Sequence, residues 1–303
     1  MFISEYNERY LKKYSRDISY LEMKEERTPD NKLVDAFIKH IKSNDKLYGN
    51  YFGRYKNRKY DIRQLILIIV KVLRLGIPWR EIHQLKISED IYWNTVYKTY
   101  KRLLADDIIQ KSFEESVKLY LKKKPESKLK IQLTDTSNVS NKLGEECVGR
   151  NKTAKNKNIT KITLITDSQG IPLDADIYAG NIHDSKIFQD QMTKVGTKFS
   201  NANKKRKFLA DKGYDSKKIK LLLKNKGYIT IIPHNKRNTK DKNKMKQLTT
   251  MEKETLQKRV KVEHAFMKIK RYRRLNVRYD RKYETYKGFL LMALIDIIHR
   301  CIT

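Results

Sequence analysis

The hydrophobic period of this chain changes from helical to alternating at Lys122-Lys123-Lys124-Pro125-Glu126-Ser127, and that switch constrains the fold more than any other feature. Before it, apolar residues recur at helical spacing. Leu33, Phe37, Ile38 and Ile41 form one stripe, and Ile62 to Leu75 reads as a buried helix that opens after Asp61 and closes at Gly76. Pro78-Trp79-Arg80-Glu81-Ile82 opens a further helix, because proline suits a first helical turn. Trp93 to Leu104 continues the pattern and carries Tyr97, Lys98, Tyr100, Lys101 and Arg102. Helix, tight turn, helix and then a basic aromatic helix fits a small DNA-binding module, and equally a plain bundle packed on the next domain.

After the switch, Leu129, Ile131, Leu133 and Asp135 alternate onto one side of a strand. A long polar loop is expected from Ser137 to Asn158. Ile159 to Thr166, the turn Asp167-Ser168-Gln169-Gly170, and Ile171 to Tyr178 then read as a hairpin. A helix through Met192 follows, capped by Asp184 or Ser185, then a short strand from Lys207 to Asp211 that stops at Lys212-Gly213-Tyr214. Ile219 to Leu223 is helical, and Tyr228 to Pro233 is a strand. Asp215 is expected to cap a helix and His183 to orient a loop. The polar, lysine-rich stretch Asn235 to Lys246 precedes two more helices, one around Glu263 and one from Gly288 to Cys301. The expected class is α/β, with helices packed on a mixed sheet. The expected parts are a charged helical extension over residues 1–45, a helical domain over 46–124, and the α/β domain over 125–303.

Charge narrows the partner. Lys and Arg total 68 against 35 Asp and Glu, a formal charge of +33, which calls for a polyanion, nucleic acid first, and steeply salt-dependent binding. Only Cys147 and Cys301 occur, without a paired motif, so neither a disulfide framework nor a structural zinc site is expected. The N-terminal segment lacks a signal-peptide apolar core, and the longest apolar run, Leu65 to Val70, is too short to span a bilayer. The expectation is a soluble intracellular protein.

Three acids stand out against this basic background. Asp135 and Asp211 each end a strand, and Glu263 lies on a helical pattern in which Arg259, Glu263, Phe266, Met267 and Lys270 share a stripe. A carboxylate on such a stripe asks for a partner. Two or three carboxylates that clamp divalent metals suit phosphodiester chemistry, which needs an activated oxygen on one side and a neutralised leaving oxygen on the other. Taken singly, each acid has a plainer reading. Asp135 and Asp211 could be turn residues, and Glu263 could pair with Arg259 one turn earlier. Arg259 and Lys270 could reach phosphates or form a solvated basic face.

Together, Asp135-Thr136-Ser137, Ile165 to Leu173, Gly180-Asn181-Ile182-His183-Asp184-Ser185 and Ala210-Asp211-Lys212-Gly213-Tyr214-Asp215 resemble DDE transposases of bacterial insertion sequences, in the insertion-sequence 4 and 5 group. Arg259, Glu263 and Lys270 reproduce three positions of that group's Tyr-Arg-Glu-Lys signature, with Leu256 at the tyrosine position. The segment from Asp61 to Glu81 resembles the helical region that precedes the catalytic domain in the insertion-sequence 5 branch. The resemblance implies a ribonuclease-H-like mixed sheet flanked by helices and preceded by a small all-helical N-terminal domain. It implies Asp135, Asp211 and Glu263 as catalytic residues holding two Mg²⁺ or Mn²⁺ ions. It implies cleavage at element ends and transfer of 3′-hydroxyls into target DNA. The implied partner is double-stranded DNA, as terminal inverted repeats and target, bound by a homodimer, with Arg150, Arg259 and Lys270 as the candidate DNA contacts. A related nuclease that cuts without transposing, or a DNA-binding remnant with a dead metal site, fits the same residues.

Overall fold

The computed structural model describes residues 31–53, 60–88, 90–124, 130–195, 206–235 and 248–302. Leu129, most of residues 1–45, the second half of the Lys122–Ser127 switch, and the stretch from residue 236 to 247 lie outside them.

The first helices form for the reasons their sequences suggest. α1 (Asn31–Lys42) buries Leu33, Val34, Phe37, Ile38 and Ile41 along one stripe. α2 (Ile62–Leu75) begins where the Asp61 carboxylate accepts the Arg63 backbone N–H at 3.2 Å. It ends at Gly76, whose φ of 69° is left-handed and whose N–H donates to the Val72 carbonyl. Pro78 opens a six-residue 3₁₀ turn, Trp79–Gln84, instead of the α-helix expected there, because Leu85 goes over to extended backbone and is buried. α3 (Trp93–Ala105) and α4 (Ile108–Lys123) follow. α4 escapes the sequence reading, although Ile109, Phe113, Val117 and Tyr120 carry its buried side.

The sheet is built on a long central strand. β1 (Ile131–Asn141) pairs antiparallel with β3 (Lys157–Asp167), from Gln132 opposite Asp167 to Ser140 opposite Ile159. β2 (Gly149–Asn151) and β4 (Pro172–Ala179) both pair antiparallel with β3, β2 along 157–159 and β4 along 160–166. The expected hairpin is therefore present, and Gly170 turns it with a φ of 76°. The buried Asp167 carboxylate organises that turn by accepting from the N–H groups of Gln169 and Ile171 and from the Tyr120 hydroxyl. The loop expected from Ser137 is shorter than the sequence suggests. Backbone pairing with β3 continues through the polar residues Ser137 to Ser140, and β2 takes part of the remainder. Nor is β1 one-sided, since Gln132 and Thr134 are as buried as Leu133. The Gln132 Oε1 accepts from the Tyr228 hydroxyl and the Thr134 hydroxyl donates to the Leu164 carbonyl, while the Gln132 Nε2 is buried without a partner among the described residues.

The chain then crosses over. α5 (Asp184–Val195) leads to β5 (Arg206–Leu209), which runs parallel to β1, and α6 (Lys217–Asn225) leads to β6 (Tyr228–Ile231), parallel to β5. The path β4-β3-β1-β5-β6, three antiparallel strands followed by two parallel ones, is the ribonuclease-H-like arrangement. α7 (Thr250–Gln257), α8 (Val260–Lys270), the two-residue β7 (Val277–Arg278) on the far end of β1, and α9 (Tyr283–Ile302) complete it. Asp215 ties the α6 region to the end of β6 through Lys220, His234 and the Asn235 N–H.

One hydrophobic core runs through the helices and the sheet. α9 is its spine and is buried along most of its length. Phe289 stacks on Tyr100 at 4.5 Å between ring centroids and lies 5.8 Å from the ring of Trp79. Gly288 makes that approach possible, because a Cβ there would stand 2.5 Å from both Leu104 and the Tyr100 hydroxyl. No described helix is long and apolar enough to cross a membrane, and both cysteines are free. Phe289→Ala empties the aromatic stack at full burial, so it is expected to cost about 3–5 kcal/mol, read as a drop in chemical-denaturation midpoint.

Candidate active site

The pairing of β1 with β5 sets the site. Ile131, Gln132 and Leu133 lie opposite Lys207, Phe208 and Leu209, and Asp135 and Asp211 each follow two residues after the last of these pairs. Beyond Leu133 the two strands part, and among the described residues β1 has no strand neighbour on that edge until β7 joins at Ser140. Such a gap beyond the carboxyl end of parallel strands is where open α/β sheets bind ligands. Asp211 begins a 3₁₀ turn, Lys212–Tyr214, whose Tyr214 is buried against the Phe188 ring at 5.7 Å between centroids. The glycine turn read in the sequence is thus anchored by its aromatic residue.

Arg259, just before α8, closes the pair. Its Nη2 reaches Asp135 Oδ2 and its Nη1 reaches Asp211 Oδ1, each at 3.4 Å. Charge-assisted contacts of this type usually lie near 2.7–2.9 Å, so the guanidinium is held loosely between two acids. Its Nε is buried without a hydrogen-bond partner among the described residues. The two acids differ in exposure, 24 % for the Asp135 side chain and 46 % for Asp211. Burial accordingly raises the Asp135 pKa above the usual carboxylate range, and the charges of Asp211 and Asp184 add to the rise. The Thr136 N–H, bound at 2.8 Å, and the Arg259 charge act against it. Burial and the nearby Asp135 also push the Tyr214 phenol well up.

Glu263 is arranged otherwise. The buried stripe of α8 is Val262, Ala265, Phe266 and Ile269, offset from the stripe read in the sequence. Glu263 and Met267 are exposed, so the expected cost of burying this carboxylate does not arise. The structure brings Asp135, Asp211 and Arg259 together and leaves Glu263 one helical turn beyond them. Among the described residues no three His, Cys, Asp or Glu side chains are gathered as a metal cluster. Lys270, at the other end of α8, donates to the Asn138 carbonyl at 3.5 Å on the open edge of β1. Arg150 is exposed on β2. The Gly180–Ser185 motif proves architectural. Lys161, itself buried, donates to the Ile182 carbonyl and to Asp184 at 2.8 Å each, and His183 accepts the Ser185 N–H. The sequence marks Arg259 as a signature position one turn before Glu263 but gives no sign that it bridges Asp135 and Asp211.

Residues 126–295 match the family described as Transposase DDE domain. The chain belongs to that family. It is a DDE transposase-family enzyme, a family that generally uses divalent metal ions. A solved structure, the Mos1 transposase paired-end complex with left transposon end, aligns over 75 % of this chain and 86 % of its own at 8 % identity and a TM-score of 0.25. No curated protein matches.

The residues present fit a hard cation in part. Asp135 and Asp211 offer carboxylate oxygens of the type Mg²⁺ prefers, and they already share one positive group. Arg259→Gln removes the charge that holds the Asp135 pKa down. In metal-free protein, Asp135 is therefore expected to ionise at higher pH than in wild type, read by carboxyl-carbon NMR titration. An unchanged titration would show that Arg259 does not govern this carboxylate.

Proposed function

We propose that this transposase-family enzyme cuts double-stranded DNA at the ends of a mobile element and joins the freed 3′-hydroxyls to target DNA. Asp135, Asp211 and Glu263 would hold two Mg²⁺ or Mn²⁺ ions. The observation that carries this reading is the pair of carboxylates, one on β1 and one just past the end of the adjacent β5, drawn to one cationic group at the open edge of β1. When bound, the ions supply an activated oxygen nucleophile and neutralise the leaving oxygen. The chain does the remaining work. Asp135 is fixed by its pairing with Leu164 of β3 and Asp211 by the 3₁₀ turn that it opens just past β5, which keeps them rigid as a phosphodiester needs. Glu263 adds its carboxylate from α8, the helix that Arg259 begins. Arg259, once the acids are otherwise neutralised, is free to turn to a phosphate, and Lys270 lies further along the same helix. Arg150 on β2 extends the basic surface. No covalent bond between protein and DNA is required. Synapsis of two element ends calls for a homodimer on DNA.

Mg²⁺-dependent cleavage of a DNA fragment carrying the gene's own flanks tests this. Asp135→Asn and Asp211→Asn are each expected to lower cleavage by more than the roughly 10–100-fold lost when a group that merely orients a metal ligand is removed. Binding of the same DNA should persist. Glu263→Gln is expected to behave likewise, and full activity in that variant would remove Glu263 from the site. Binding without cleavage by the wild-type protein would point to a DNA-binding remnant.

A further inference from the structure

The segment between α2 and α3 leaves a pocket in the helical region, and no residue of the carboxylate site lines it. It measures about 440 Å³, within the roughly 300–1,000 Å³ of small-molecule sites, and Arg80, His83, Asp90, Tyr92 and Trp93 border it. Its aromatic wall stands on the core. The Trp93 ring lies 6.5 Å from that of Tyr97, which meets Trp79 edge-on at 5.3 Å, and Trp79 in turn lies against Phe289 of α9. The Arg80 guanidinium covers the Trp93 ring at 5.6 Å from its centroid. Tyr92, 5.7 Å from Trp93 between ring centroids, is 64 % exposed.

A plain structural reading takes Arg80 over Trp93 as a cation–π contact that fastens the 3₁₀ turn to α3. That reading accounts for those two side chains and for neither polar group beside them. His83 stands three residues after Arg80 in the 3₁₀ turn, where such positions lie one above the other. Its Nδ1 is 3.0 Å from the Arg80 carbonyl, which only accepts, so the neutral ring carries its proton on Nδ1 and leaves Nε2 as an acceptor. His83 and Asp90 are both exposed, and neither Arg80 nor Asp90 has an ion pair among the described residues. The pocket thus offers an exposed flat ring, two acceptors and one guanidinium. Arg80 and Asp90 cancel in charge, so this pocket, on a strongly basic chain, selects by shape and hydrogen bonds.

A nucleobase matches this set. It is flat, it stacks on aromatic rings, and within a strand it brings a phosphate for a guanidinium. Two acceptors suit guanine, whose pairing edge presents two N–H donors beside a carbonyl oxygen. In a paired duplex that edge is taken and the base is stacked between its neighbours, so only an unpaired base can enter. We propose that this pocket holds an unpaired base of the DNA, guanine by preference, stacked on Tyr92 with its pairing edge on His83 and Asp90. This rests on the DNA substrate proposed above, and it adds a base contact to a surface that otherwise meets phosphates.

The test is equilibrium binding of the full chain, without divalent metal so that no cutting intervenes, to three duplexes: one with a single bulged guanine, one with a bulged thymine in its place, and one fully paired. The wild type is expected to bind the bulged guanine tightest, by about 5–150-fold over the paired duplex, the range for one base stacked on an aromatic ring. Tyr92→Ala removes the advantage of both bulges and leaves binding of the paired duplex unchanged, and Asp90→Ala brings guanine down to thymine. Both side chains are exposed, and thermal melting checks that the variants fold. Equal binding of bulged and paired duplexes by the wild type, or an advantage that survives Tyr92→Ala, would overturn the pocket as a base site and leave the substrate reading standing. An equal advantage for thymine would overturn the preference for guanine. Deoxyguanosine monophosphate binding as tightly as the bulged duplex would reassign the pocket to a free nucleotide. A wild-type chain that binds none of the duplexes would overturn both readings.

Discussion

The parallel pairing of β1 with β5 is the constraint on which the site depends. A parallel pair has a fixed register, and here it aims β5 so that Asp211, two residues past its end, meets the same Arg259 guanidinium as Asp135 on β1. Because β5 stops at Leu209 while β1 runs to Asn141, the strands share only three paired positions before β1 goes on alone. The exposed edge is then closed by a helix rather than by another strand. α8 packs Val262, Ala265, Phe266 and Ile269 inward, and its first residue follows the arginine that bridges the two acids. A slip of one residue between β1 and β5 would turn one carboxylate to the other face of the sheet and part the pair.

The core that holds this sheet is stitched by buried charge as well as by apolar packing. Asp296 in α9 takes Arg74 of α2, Arg300 and Tyr272, and Arg274 takes Asp280 at 2.8 Å together with the Ile77 carbonyl at 3.2 Å. Arg278 is fully buried, and burial lowers its pKa. It donates to the Asp280 and Arg281 carbonyls and to the Thr160 hydroxyl. Buried ion pairs give back little more than their desolvation costs, but a wrong packing would leave one of their charges unpaired. These links join α2 and the segment after Gly76 to the C-terminal elements, far apart in sequence. The helical region thereby shares one core with the catalytic sheet.

The functional surface sets a few acids against a chain of strongly positive charge. In such a chain a pair of carboxylates can be kept close only if something positive stands between them, and Arg259 meets that need from the neighbouring helix. Arg74 and Arg300, near the ends of α2 and α9, gather in the same way around the Asp296 carboxylate. In both places the chain concentrates positive charge at the end of a helix.

The sequence by itself determined a good deal. Asp61 and Gly76 mark the ends of α2, the Asp167–Gly170 turn marks the β3–β4 hairpin, and the spacing of Leu33, Phe37 and Ile41 marks the buried face of α1. These are local: a cap, a turn and a helical stripe depend on residues a few positions apart. Asp135 and Asp211 were legible through the short motifs around them, but not as strand ends: Asp135 lies inside β1, which runs on to Asn141, and Asp211 lies two residues past β5. Tertiary structure decided the rest. The polar residues Ser137 to Ser140 became strand because β3 offered partners, and Trp79–Gln84 became a 3₁₀ turn because Leu85 was needed in the core. Glu263 faced outward because the core selected the stripe of Val262 and Ile269, and Arg259 became the bridge between two acids that only strand pairing brings together. Which helix face is buried, and which distant charges meet, depends on partners far away in the chain, and local spacing carries no record of them.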